Sequence, residues 1–215
     1  DIELVQGWNM VSFPALNEQN AKDVLQALID DGYLLKAMDE RGSAIEELAG
    51  SWYNFIGNFV PGKGYKVKVS QACTLTINEV GTKSLTTVPD LLASTSFKPV
   101  FSGNGFNHMN VVLTELYETG FRTGDQIGIF DGDVCVGAVT LDDYSYLNNM
   151  ISIPVSSNDG MEREANGFVS GNKYSVSVLR GNKKQAAEFD VIGGPEQFVI
   201  GATSVIALSG ELDIN

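Results

Sequence analysis

Histidine occurs once in the 215 residues, cysteine twice, tryptophan twice and proline six times. With a single imidazole, any Ser-His-Asp or Cys-His arrangement would have to use His108. Neither a Gly-Xaa-Ser-Xaa-Gly elbow nor a Cys-Gly nucleophile context accompanies it. His108 opens the strand-like run NHMNVVL and reads as a structural or surface residue. The two cysteines, Cys73 and Cys135, have no metal-ligand spacing and no nearby histidine, which excludes a zinc site of the usual kind. Each lies in an apolar strand context, and two readings stay open. They are separate buried thiols, or they form one bridge between the halves of an exported protein.

Positive charge is also scarce. Lys and Arg number 14 against 27 Asp and Glu, a net charge of −13. The halves share the imbalance, with 7 basic and 12 acidic residues in 1–95 and 7 and 15 in 96–215. Neither half can form the basic stripe that nucleic-acid binding requires, and an anionic membrane surface would repel both. Apolar runs fall well short of the ~20 residues of a bilayer-spanning helix, so no helical membrane insertion is expected. Gly62-Lys63-Gly64 lacks the spacing and following helix of a phosphate loop. Asp1 in place of a start methionine reads as a processed or excised product, which leaves export open.

What is present is strand. Gln126–Phe130 and Val134–Leu141 flank Asp131-Gly132-Asp133, and Asp-Gly between alternating apolar runs is a strong hairpin signal because the turn needs residues that tolerate positive φ. Upstream, Ile2–Val5, Trp8–Pro14, Leu34–Met38, Ile45–Leu48, Tyr65–Val69 and Cys73–Ile77 read as strands. Asn20 caps a helix over AKDVLQALIDD that buries Val24, Leu25, Leu28 and Ile29 and stops at Gly32. Downstream, Met109–Leu116, Met150–Val155, Lys173–Leu179, Gln185–Ile192, Phe198–Ile200 and Ser204–Ser209 follow, with Gly/Asn breaks between them and a helical turn within Asp142–Asn149. Short strands at this spacing indicate an antiparallel β-sandwich. The expected organisation is mainly β: a β-rich module with one helix at 1–80, a Thr/Ser-rich linker at 81–96, and a sandwich at 97–215.

Candidate chemistry is sparse. The carboxylate pairs Asp131/Asp133, Asp142/Asp143 and Glu162/Glu164 could serve a glycosidase only if they faced each other across a cleft, which spacing along the chain does not establish. Asp131 and Asp133, joined by Asp125, Asp142 or Asp159, are the candidate calcium ligands, since hard oxygens suit that ion. The closing Glu of an EF-hand is missing, and Asp in a tight turn needs no metal. No cofactor is expected beyond that candidate calcium, and no catalytic residue is assigned. Trp8, Trp52, Tyr53, Phe55 and Phe59 are candidate sugar platforms. Trp8 is expected to be buried, and Trp52 and Tyr53 exposed. The strand-prone ends, Ile2–Val5 and Val199–Ile214, are templates for pairing with another chain.

Both halves resemble modules of large secreted bacterial surface proteins. GWNMVSFP, the stretch Gly50 to Gly57, PGKGYKVKV and CTLTI carry the first likeness. GDQIGIFDGDVCVGAV and NGFVSGNKYSVSVL carry the second, which is similar to a β-sandwich module that often stands beside the first. The resemblance implies export and an extracellular or cell-surface setting. It transfers no catalytic residue, and Cys135 matches a position that usually lacks a partner within its module. The function expected from it is a non-enzymatic structural protein that self-associates by strand pairing into a fibre or surface assembly. The alternative is a carbohydrate-binding or adhesive module whose partner is a glycan.

Overall fold

The computed structural model of the protein describes residues 1–78, 94, 96–101, 107–161, 164–210 and 212–214. The chain is mainly β and divides into two compact units, 1–89 and 90–215. The division falls inside the expected linker, of which residues 81–93 and 95 lie outside the described residues.

The first unit contains β1 (Ile2–Leu4), β2 (Gly7–Ser12), β3 (Gln19–Asn20), α1 (Ala21–Val24), α2 (Gln26–Asp30), β4 (Leu34–Met38), β5 (Ala44–Leu48), β6 (Ser51–Asn54), β7 (Asn58–Phe59), β8 (Gly64–Val69) and β9 (Cys73–Leu75). Five strands form an antiparallel sheet in the order β2-β8-β4-β5-β6, and β1 with β9 and β3 with β7 make small ladders beside it. Alternation in YKVKV buries Tyr65, Val67 and Val69 and turns Lys66 and Lys68 outward. Asn20 caps the helical segment, its side chain accepting from the N–H groups of Lys22 and Asp23 at 3.0 and 3.2 Å. Gly32 ends it at φ +70°. The single expected helix is two pieces, because Leu25 (φ −93°, ψ 3°) leaves the helical basin. Pieces this short hold through burial of Leu25 and Leu28 against the sheet, since a helix of one turn has little stability of its own.

The second unit contains β10 (His108–Thr114), β11 (Gln126–Asp131), β12 (Val134–Thr140), α3 (Asp143–Leu147), β13 (Met150–Ser156), β14 (Ser175–Arg180), β15 (Lys183–Ala187), β16 (Phe189–Gly193) and β17 (Thr203–Leu208). Two four-stranded sheets, β13-β10-β17-β16 and β12-β11-β14-β15, enclose one core around Val111, Leu113, Ile127, Ile129, Val176 and Ile206. Two features depart from expectation. Gln185–Ile192 is not one strand, because the chain crosses from one sheet to the other at Glu188. Phe198–Ile200 is a turn region, with Phe198 in the core stacked on Phe168 at 4.5 Å. Among the described strands every ladder is antiparallel except one: β10 runs parallel to β17, from Asn110↔Thr203 to Thr114↔Ala207.

The sheets approach most tightly where β12 faces β13. A Cβ added to Gly137 would lie 2.5 Å from the Pro154 carbonyl oxygen and 2.7 Å from Val155 Cγ1. Gly137→Ala is therefore expected to cost about 1–3 kcal/mol through overpacking, read as a lowered denaturant midpoint at unchanged m-value.

Candidate functional site

The acidic residues marked by the sequence are held apart. Asp131, at the end of β11, accepts from Val169 N–H at 2.8 Å and from Asn172 Nδ2 at 2.9 and 3.0 Å, which ties the hairpin to the 169–172 loop. Asp133 is exposed in the turn. Asp142 caps α3 by accepting from Ser145 N–H at 2.7 Å, and Asp143 occupies the first turn of that helix. Asp159 accepts from Met161 N–H and Asn166 Nδ2, both at 2.8 Å, and these bonds hold its carboxyl below the ordinary range. Glu162 lies outside the described residues, and its partner Glu164 is exposed. Among the described residues no three His, Cys, Asp or Glu side chains gather in a ligand set.

Asp125 has a different role, which its position in the sequence does not reveal. Arg180 grips it with two hydrogen bonds, Nε to Oδ1 at 2.8 Å and Nη2 to Oδ2 at 2.7 Å. The other donors reach the backbone carbonyls of Ile214 and Gly120, both at 2.8 Å, and Arg122 N–H also donates to the Asp125 carboxylate. Both side chains are largely buried. One guanidinium thereby joins the end of β14, the 120–125 loop and the C-terminal segment, a fork-to-fork geometry that Lys could not supply.

His108 is buried at the start of β10, opposite Ser156, and its carbonyl accepts from Gly201 N–H at 2.7 Å. Cys73 and Cys135 are both free thiols, each partly buried in its own unit. Burial pushes the Cys135 thiol from its ordinary value of 9.0 to about 11, against the opposing effects of its hydrogen bond with the Gly137 backbone and of the Lys184 charge. A protonated thiol is a poor nucleophile.

The aromatic residues do not build one sugar-binding face. Phe59 is core, packed at 4.0 Å against Tyr65 and 5.6 Å against Phe13. Trp52 is half-buried against the same core rather than exposed, while Tyr53 is exposed and stacks on Phe55 at 6.2 Å. Trp8, expected to be buried, is 44% exposed. The phase of β2 is set by Val11, which enters the core, and by Asn9, whose amide donates to the Val5 and Val67 carbonyls. Trp8, Met10 and Ser12 therefore turn outward. Lys68 Nζ sits 5.6 Å above the Trp8 ring. Register places Trp8, Lys68, Lys36, Glu46 and Tyr53 in one row across the sheet, with a 3.1 Å Lys36–Glu46 ion pair at its centre. The two exposed rings occupy opposite edges, about 19 Å apart at the usual strand spacing.

The C-terminal strand-prone end is not an open template. β17 is paired on both sides, Leu212 N–H donates to the Thr119 carbonyl at 3.2 Å, and Ile214 is 2% exposed in the core. Among the described strands β1 is paired with β9 alone, so its other edge stays open. β2 is also an edge strand, and it has Met10 80% exposed beside Trp8.

An unanticipated cluster covers the outer face of β11. Phe97 and Phe130 meet edge-to-face at 5.5 Å, and Lys184 Nζ lies 5.3 and 4.8 Å from their centroids. Gly128 leaves room for both rings, since a Cβ there would lie within 2.9 Å of each. Gln126 Oε1 accepts from Ser94 Oγ and Ser96 N–H and fastens the segment that brings Phe97 into place. A glycine inside a strand was the available signal of such close approach.

Comparison with protein-family models, with curated proteins and with solved structures finds no match in any of the three.

Two outcomes follow from this geometry. Arg180→Met is expected to lose about 3 kcal/mol of stability by leaving Asp125 charged and unpaired. Hydrogen exchange at Leu212–Ile214 should rise with it, because Arg180 also holds that backbone. Cys135, whose folded value is raised, contributes stability that is complete below pH 9 and lost as pH rises toward 11. Melting midpoints across that window should fall less steeply in Cys135→Ala than in the parent.

Proposed function

We propose that the chain is a non-enzymatic structural protein of an extracellular or cell-surface setting, and that it self-associates through a sheet edge into a fibre or surface assembly. The observation that carries this reading is β2, an edge strand presenting Trp8 and Met10 to solvent. An edge with unpaired backbone groups and outward apolar side chains is a template for another strand, and natural proteins commonly blunt such edges with charge. The likeness of GWNMVSFP and GDQIGIFDGDVCVGAV to modules of secreted bacterial surface proteins supports the setting. The reading assigns no residue a catalytic role, and it takes the join to lie at β2 rather than at the C-terminal strand.

A second reading, a carbohydrate-binding or adhesive module, has its own observation. The exposed Trp8 ring under Lys68 is a platform on which a sugar face could stack. Negative-stain electron microscopy and polysaccharide-column retention, run on the parent, Met10→Lys and Trp8→Ala, separate the two. Self-association predicts regular assemblies in the parent that Met10→Lys disperses, without specific retention on the column. Dispersed parent particles, retained on a polysaccharide and released by Trp8→Ala, would replace the first reading with the second.

A further inference from the structure

A strand edge that joins copies needs a second edge to join, and the edges of this fold are unequal. β12 and β13 close on each other where Gly137 meets the Pro154 carbonyl, and Pro154 leaves β13 one donor short. On β6 the Trp52 carbonyl is taken by the Lys22 ammonium at 3.0 Å. β1, β3, β7 and β9 are only two or three residues long. β15 exposes Lys183 and Lys184. β16, the terminal strand of its sheet among the described residues, is different. Phe189 and Val191 pack on the core, and Asp190 and Ile192 turn outward, with Ile192 58% exposed. β2 offers the complement. It contains no charged residue, its outward side chains include Trp8 and Met10, and their register partners on β8 are Lys68 and Lys66. Lys68 reaches back toward the edge, its Nζ 5.6 Å from the Trp8 ring centroid. A cation is thereby held over the edge strand itself, in a chain whose net charge is −13.

We infer that β2 of one copy pairs with β16 of a second copy, so that Trp8 and Met10 meet Ile192 and the ammonium groups of Lys66 and Lys68 face Asp190. The inference rests on the reading of β2 as the edge of self-association. Neighbouring strands stand about 4.8 Å apart, which puts an incoming β16 about 10 Å from β8. A lysine and an aspartate side chain together cover that span. Charge sorts the partners. β15 would set Lys183 and Lys184 beside Lys66 and Lys68, and a second β2 would bring the same lysines together over one seam, so both are disfavoured by like-charge repulsion. β2 and β16 are different patches, so each copy in the pair keeps one of them free. A head-to-tail contact of this kind propagates into a fibre, whereas β2 on β2 stops at a dimer.

The test is sedimentation velocity of the whole protein as the parent, Met10→Lys, Ile192→Lys and Asp190→Lys, alone and in equal mixtures. Asp190 and Ile192 are exposed, so their replacement leaves the fold intact. The parent is expected to form assemblies that grow with concentration, while Met10→Lys and Ile192→Lys each stay monomeric alone. Mixed, those two should give a dimer and nothing larger, because each retains the edge that the other has lost. Asp190→Lys should weaken assembly about tenfold, and adding Lys68→Asp in the same chain should recover most of that loss. Ile192→Lys assembling like the parent, or a mixture that stays monomeric, would overturn β16 as the partner and leave the β2 edge standing. A parent that stays monomeric at every concentration would overturn the β2 reading itself, and this inference with it.

Discussion

The second unit depends on the ion pair between Arg180 and Asp125. Two charges so far removed from water are stable together only when nearly every donor and acceptor is used, and here the guanidinium serves a carboxylate and two backbone carbonyls at once. The cost of desolvation explains the order of the surrounding loops. If the 120–125 loop or the C-terminal segment left its place, donors of a buried cation would be stranded. The tail that might otherwise fray is fixed by the same group that closes β14. Ile214 enters the core because its carbonyl has a partner there.

Phase and edges govern the first unit. Each strand has one face for the core, and a single strong inward residue fixes the whole set. Val11 and Asn9 take the inward positions of β2, and Trp8 and Met10 are left on the outside whatever their own preference for burial. Exposure of an aromatic and a methionine on an edge strand is thus a result of register, and selection can retain such a surface when it meets a partner. The row from Trp8 to Tyr53 shows the same constraint extended across five strands.

Local patterns in the sequence carried much of this architecture. YKVKV, LLKAM and the Asp-Gly hairpin show their periods openly, and Asn20 and Gly32 mark the ends of the helical segment. Long-range choices left no such trace. Gln185–Ile192 alternates without interruption because inward and outward positions continue through the crossing at Glu188, so a change of sheet is invisible to period alone. The parallel pairing of β17 with β10 depends on residues about 90 apart. Arg180 looked like the residue before a Gly-Asn turn, since its partner lies 55 positions away. Trp8 departs from expectation because its hydrophobicity argues for the inward phase, whereas the burial of Val11 sets the phase of β2. The candidate acids were visible as residues, but whether a carboxylate faces a ligand, a helix cap or an arginine is decided by folding partners.

The parallel ladder between β10 and β17 also has a mechanical consequence. Parallel neighbours start at the same end of a sheet. The point where the chain enters β10 and the point where it leaves β17 therefore lie at opposite ends of the ladder, roughly 20 Å apart at the usual rise per residue. Tension drawn along these strands from those two points loads the five registered pairs in shear, all together, instead of opening them one after another as a hairpin unzips. A fold built this way yields late and abruptly under load.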